Sequence, residues 1–458
     1  MKSSLALKVS WLLAFFSVLL WLSLMAKPLR AEEPSVGESI AEKTQPEKAE
    51  PPEAPAGFGF GIDRERLGLI ADFEACFILS DLKGSDLLWG GSLDGVIVPN
   101  YRINDNNVLM LMYEGTYYKK RDFYSEDVYL YSDVEGPIER TEHQRHSLTP
   151  MLRMDFGSRS RYSITPSFFY TKTLNKDIES SNWSGGLYNY DDIGVGLDWK
   201  LKGPGSGEAD SNLRLGAQYY KRRYPNYESL LDTAMGIGTE KDEKDYHGVI
   251  GRVGYERIKE SGFLWSADYS LLFKMLDDKK VVDAYGVLTS EEQRDYVHSL
   301  DLRFSYVLVD LLGELELGLD LRGGLNRSNQ NYYDYMGTDD PADYVFTYNF
   351  YNYNSYRICP NISFTFASCP MTFTLAYLYG KTDYTQRLAK FSDGAYKDEK
   401  QYETLRGVDI GLTYVLTEQW SLLARFEHVT ARSNNDYEKV YQYDYEVTNY
   451  SIGASFRY

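Results

Sequence analysis

Histidine and cysteine are scarce in this 458-residue chain, with 5 and 3 copies, and only one long apolar run is present. Each shortage removes a class of function. An odd number of cysteines on distant segments, Cys76, Cys359 and Cys369, indicates no disulfide framework. His143 and His146 are the one close histidine pair, and a metal would need a third ligand that the neighbourhood does not supply, so no metal and no cofactor are expected. His247 and His298 lie toward segment ends and His428 stands alone, so no serine–histidine–acid constellation emerges and the chain is not read as an enzyme. Basic residues are outnumbered, 49 Lys and Arg against 67 Asp and Glu for a net charge of −18, which excludes nucleic acid as a partner. No segment has the Asp/Gly spacing of an EF-hand.

The single apolar run, Trp11–Met25, follows Lys2 and Lys8 and leads to small residues at Ala26 and Ala31. It falls short of the roughly 20 residues a helical span needs. Residues 1–31 therefore read as a secretory signal peptide. No cysteine lies near the cleavage region, so N-terminal lipidation is not available. Residues 32–57 hold seven glutamates, from Glu32 to Glu53, and prolines at 34, 46, 51, 52 and 55. Such a stretch has little to bury and reads as a disordered acidic linker. Residues 58–458 remain as one domain.

What is abundant is tyrosine, glycine and phenylalanine, at 41, 37 and 21 copies, a composition suited to β-structure with aromatic surfaces. From about Arg66 the chain alternates apolar and polar with period two. Leu315, Leu317, Leu319 and Leu321 interleave with Glu316, Gly318, Asp320 and Arg322, and Leu300 to Leu308 repeats the pattern. The segments with this pattern are 66–79, 92–104, 107–119, 144–156, 161–173, 190–202, 212–224, 246–258, 262–276, 295–309, 314–326, 355–367, 371–384, 403–416, 420–432 and 446–458. Their connections alternate short and long. With no helical span available, a membrane location requires a closed barrel. The pattern thus predicts an all-β protein, a transmembrane antiparallel up-and-down β-barrel of about 16 strands, with short turns at one end and long loops at the other. Pro99, Pro150, Pro166 and Pro360 interrupt strands on the outward face and read as tolerated bulges.

The other face is the interior. It carries Arg102, Arg153, Arg214, Arg252 and Lys274 on the first nine segments, and Arg303, Arg322, Arg357 and Arg425 on later ones. Against them stand Asp72, Glu74, Asp94, Glu114, Asp155 and Asp198, then Asp268, Asp301, Asp320, Asp409 and Glu427. Arg153/Asp155, Asp301/Arg303, Asp320/Arg322 and Arg425/Glu427 share a face two residues apart. If Leu311–Leu312 is a turn, Asp301 lies opposite Arg322 and Arg303 opposite Asp320; a register shifted by one pair would set arginine against arginine.

The chain ends Tyr450-Ser-Ile452-Gly-Ala454-Ser-Phe456-Arg-Tyr458. This closely resembles the terminal recognition strand of Gram-negative bacterial outer-membrane β-barrels, and the whole is porin-like. The resemblance implies lipid-facing roles for Tyr450, Ile452, Ala454, Phe456 and Tyr458, contact with the barrel assembly machinery, and an outer-membrane location with periplasmic termini. Porins often narrow on an inserted loop; the nearest candidate is Asn175–Tyr188. The expected function is a diffusion channel for small hydrophilic solutes or ions, lined by the interior charges and surrounded by lipid and lipopolysaccharide, with homo-oligomers compatible. The alternatives are an export barrel for a polymer such as an exopolysaccharide, and a non-conducting barrel whose acidic, tyrosine-rich loops bind surface ligands.

Overall fold

The computed structural model describes residues 66–124, 138–157, 161–176, 183–186, 188–203, 209–227, 243–259, 261–334, 344–437 and 442–458. The signal peptide and the acidic linker lie outside the described residues. The strands are β1 (Leu67–Leu82), β2 (Leu88–Asn104), β3 (Asn107–Tyr124), β4 (Ile138–Phe156), β5 (Tyr162–Lys176), β6 (Tyr190–Lys202), β7 (Ala209–Arg223), β8 (Tyr246–Lys259) and β9 (Phe263–Val282). They continue as β10 (Leu288–Val309), β11 (Gly313–Ser328), β12 (Tyr332–Asp334), β13 (Val345–Thr347), β14 (Tyr353–Phe366), β15 (Met371–Lys390), β16 (Tyr396–Val415), β17 (Trp420–Ser433) and β18 (Tyr445–Arg457). All but β12 and β13 form one closed antiparallel barrel of 16 strands. β1 and β18 close it, from Asp72 opposite Arg457 to Leu82 opposite Val447.

Each of the sixteen sequence segments becomes a barrel strand, because period two sorts apolar residues to one face and polar to the other. The outer face is apolar: Ile193, Val195 and Leu197 on β6 are each about half exposed. A soluble protein would bury such a band; lipid accommodates it. The β10–β11 turn shows how register is set. The Asp310 carboxylate accepts N–H bonds from Leu312 at 2.7 Å and Gly313 at 3.2 Å, and Gly313 takes a φ of 151° that favours glycine. Asp301 then lies opposite Arg322, and Arg303 opposite Asp320.

Three expectations need correction. The prolines are not bulges. Pro99, Pro150, Pro166 and Pro360 each hold register with one neighbour, opposite Leu69, Leu111, Leu197 and Leu319. On the other side the ladder only loses local pairs. Between β4 and β5 the pairs Leu148–Tyr170, Met151–Ser167 and Met154–Ile164 keep one register across the gap around Pro150 and Pro166. A residue's N–H points at only one neighbouring strand, so proline removes one ladder bond without an inserted residue.

The second correction concerns the long connection Tyr384–Tyr402, which is mostly β-ribbon. β15 and β16 stay paired to the turn in which Phe391 N–H donates to the Ala395 carbonyl at 2.8 Å, and β9 and β10 likewise run to a turn at Asp283–Val287. Register shifts between Asp383 and Lys390, and between Leu288 and Arg294, break the period while pairing continues.

Third, the connection Arg327–Asn354 carries strand structure in its described parts, 327–334 and 344–354. It contains the β12–β13 hairpin, with Tyr332 stacked on Phe350 at 4.5 Å between ring centroids and the Arg387 guanidinium 4.6 Å from the Phe350 centroid. The Asp334 carboxylate accepts from Lys390 Nζ at 2.6 Å and Tyr396 Oη at 2.8 Å. Burial and Asp334 together hold the Tyr396 phenol well above its ordinary pKa, so it remains a neutral donor. Removing the carboxylate takes a charge-assisted partner from the half-buried Lys390 ammonium and from Tyr396, a loss of roughly 2 kcal/mol of local docking. Asp334→Ala should therefore make the 329–352 segment cleavable by external protease in an otherwise heat-resistant barrel, read by limited proteolysis and gel mobility.

Candidate functional site: the barrel interior

Inside the barrel a cavity of about 780 Å³ is bounded by strands from β7 to β17. Arg214, Asp268, Asp301, Arg303 and Asp320 line one part of it, and Arg322, Arg357, Asp409 and Glu427 another. Nine of the twenty interior charges singled out in the sequence thus line one space. The other eleven do not line it. Arg102 is exposed near a short turn, and Arg153 bonds Asp155 at 2.9 Å along β4. Arg252 sits opposite Gly216 and Ser270, and Arg425 reaches Glu74 at 3.5 Å over β18.

The convergence follows from register. Reading across the wall, Asp268 faces Asp301, Asp301 faces Arg322 and Arg322 faces Arg357. Two acids therefore adjoin two guanidiniums along one row. The ion pairs cross strands: Arg303 Nε to Asp320 at 2.9 Å, Arg322 to Asp301, and Arg214 to Glu256 at 2.7 Å. The same-strand pair Arg425/Glu427 is not a pair; Glu427 lies 3.6 Å from Lys120 and accepts from Asn449 Nδ2 at 2.9 Å. Asp268 and Asp409 form no ion pair among the described residues. Glycine makes room for these flat-lying side chains. A Cβ at Gly254 would stand 2.2 Å from Asp268 Oδ1.

Three features escaped the sequence reading. Glu256 lines the cavity. The wall also has an apolar sector at Leu378, Val429 and Leu405. Toward the long-loop end, Tyr220, Tyr246, Ile250, Leu272, Leu276 and Val297 pack inside the barrel around a buried Arg222–Asp192 pair at 2.8 Å. Arg222 lies 3.8 Å from the centroid of Tyr190. The available signal was consecutive apolar residues, as in Tyr219-Tyr220, Val249-Ile250 and Leu271-Leu272, where both faces are apolar.

The histidines settle the metal question for their own pair. His143 and His146 are three apart on β4, so they face opposite sides. His143 stacks on Tyr118 and bonds Asn175, whereas His146 Nδ1 bonds the outward Tyr113 hydroxyl at 2.9 Å. No metal-binding group of three is found among the described residues. The Asn175–Tyr188 loop does not enter the cavity in its described part; Trp183 packs on outward-facing Tyr117, 6.3 Å between centroids. At the C-terminal end, Ile452 is 49% and Tyr458 62% exposed, and Tyr450 packs against Phe426.

A closed barrel with an apolar exterior and a charged interior is the architecture of a transmembrane β-barrel. No protein-family profile and no curated protein matches the chain. Among solved structures it is similar to OmpT of Vibrio cholerae lacking loop L8, with 12% identity over 86% of this chain and 100% of that one, at a TM-score of 0.42. It is similar to OccAB1 of Acinetobacter baumannii, with 11% identity over 88% and 100%, at 0.42. OpdK of Pseudomonas aeruginosa, solved with vanillate, gives 11% over 85% and 99%, at 0.41. These are likenesses of fold.

The crossed ion pairs are exposed, 67% and 41% at Arg303 and Asp320, so each contributes under about 1 kcal/mol. Reversing Arg303→Asp should lower the heat-unfolding temperature of the refolded barrel, and adding Asp320→Arg should restore it. Equal loss in both variants would mean that register owes nothing to these charges.

Proposed function

We propose that the chain is an outer-membrane channel through which small hydrophilic solutes and ions diffuse. The observation that carries this reading is the charged cavity enclosed by an apolar-faced barrel. Barrels of 16 strands are wide enough for an aqueous lumen. The described chain enters β1 and leaves β18 at the short-turn end, where Ala71 and Tyr458 exchange backbone hydrogen bonds; in an outer membrane this reading puts that end on the periplasmic side. The cavity favours cations: Glu256, Asp268, Asp301, Asp320, Asp409 and Glu427 outnumber Arg214, Arg303, Arg322 and Arg357.

One observation favours a second reading, a non-conducting surface barrel. The packed Tyr220–Tyr246–Leu272 cluster takes up interior space on β7 to β10. Conductance separates the two. The refolded mature protein in a planar bilayer should give stable steps, with a reversal potential in a salt gradient that favours cations. Asp268→Asn together with Asp409→Asn should lessen the cation preference several-fold with the barrel intact. A folded, heat-modifiable protein that never conducts would move the surface-binding reading to the front.

A further inference from the structure

The interior wall is not charged throughout. Across β15 to β18, Leu378, Leu405, Val429, Ala431 and Val447 are apolar inward positions set among charged ones at Glu403, Asp409 and Glu427, and they border the main cavity and the smaller one of about 200 Å³ that adjoins it. They form a continuous ledge: Leu378 is opposite Gly407, Gly407 opposite Val429, and Leu405 opposite both Gly380 and Ala431. Gly380 and Gly407 add no side chain between them, so the ledge is low. Aliphatic surface facing an aqueous lumen is unfavourable until a solute covers it.

The edges of the ledge differ in charge. On β11 and β14, Arg322 and Arg357 stand side by side in register. On β16 and β17, Asp409 and Glu427 do the same, four residues further along, since Arg357 is level with Gly380 and Leu405 whereas Asp409 is level with Ala376. All four line the same cavity as Leu378 and Val429. From β14 to β16 is two strand spacings, roughly 10 Å, and four residues along the strand add roughly 13 Å, so the backbones of Arg357 and Asp409 stand about 16 Å apart. A long arginine side chain and a shorter aspartate one reach across part of that distance, leaving about the 7 Å that two extended residues span.

We propose that the ledge binds short zwitterions with an apolar body, of the size of a dipeptide of apolar residues. The carboxylate lies toward Arg357 and Arg322, the ammonium toward Asp409 and Glu427, and the side chains lie on Leu378, Leu405 and Val429. A simple anion would leave the carboxylate edge facing its like charge, and a simple cation the guanidinium edge. A polar zwitterion would leave the ledge uncovered. This substrate class rests on the channel reading, since the solute must reach the cavity.

Cys359 supplies a native reporter, because it lines the same cavity, whereas Cys369 lies outside it in the turn between β14 and β15. Alkylation of the refolded barrel by N-ethylmaleimide, read at each cysteine by peptide mass spectrometry, measures occupancy. Leu-Leu at millimolar concentration should slow reaction at Cys359 at least threefold and leave Cys369 unchanged. Gly-Gly, N-acetyl-Leu-Leu and Leu-Leu amide should each protect less than half as well. Leu405→Asn and Asp409→Asn should both weaken protection by Leu-Leu. No protection by Leu-Leu, equal protection by any control peptide, or a Cys359 that never reacts would overturn the proposal. Conductance recorded on the same preparation keeps the two readings apart: an open channel with unprotected Cys359 sinks the zwitterion site alone, and a silent barrel with protected Cys359 sinks the channel alone.

Discussion

Every backbone N–H and C=O within the hydrocarbon of a membrane must find its partner inside the protein, because lipid offers none. The rest of this structure depends on that requirement. It rules out an open sheet, so the last strand must return to the first, and β18 pairs with β1 from Leu82 to Asp72. Closure then divides all side chains between two environments, with strand alternation as the sorting rule. It also limits where proline can sit. Pro150 and Pro166 interrupt the same β4–β5 ladder on either side of the Met151–Ser167 pair, so both losses fall on one strand pair while their other neighbours stay paired.

The interior chemistry is a consequence of register. A turn tied by Asp310 at Leu312 and Gly313 fixes β10 against β11, and the crossed Asp301–Arg322 and Arg303–Asp320 pairs follow. Pairing of β11 with β14 then sets Arg322 beside Arg357. Charge is therefore neither uniform nor scattered around the cavity. Guanidiniums gather on one arc and Asp409, without an ion pair among the described residues, on another, with an aliphatic sector between them. The packed tyrosines on β7 to β10 narrow the interior from a further side.

The barrel was legible because alternation is a two-residue signal repeated on every strand, as in Leu315 to Arg322. The charge quartet was legible because like charges exclude the neighbouring register. The ends of the long hairpins were not. Near Asp383 and Leu388 the ladder shifts register, and both faces turn polar or mixed, so pairing persists where the pattern has stopped. The inner apolar residues were hidden for a related reason. Where Leu271 and Leu272, or Tyr377 and Leu378, follow each other, alternation assigns the outward residue and leaves its neighbour unexplained. Nor could the sequence show that β12 and β13 dock against Lys390 and Tyr396, since that contact joins residues 56 and 62 positions apart.

The central claim is that one residue in two faces lipid and the next faces the interior around the whole barrel. The direct test is a nitroxide scan of β11 from position 315 to 322 in the refolded protein, comparing relaxation by oxygen and by a polar nickel chelate. Oxygen accessibility should peak at 315, 317, 319 and 321, and nickel accessibility at 316, 318, 320 and 322. Uniform accessibility, or the opposite phase, would contradict the assignment of lumen and lipid faces on which the channel rests.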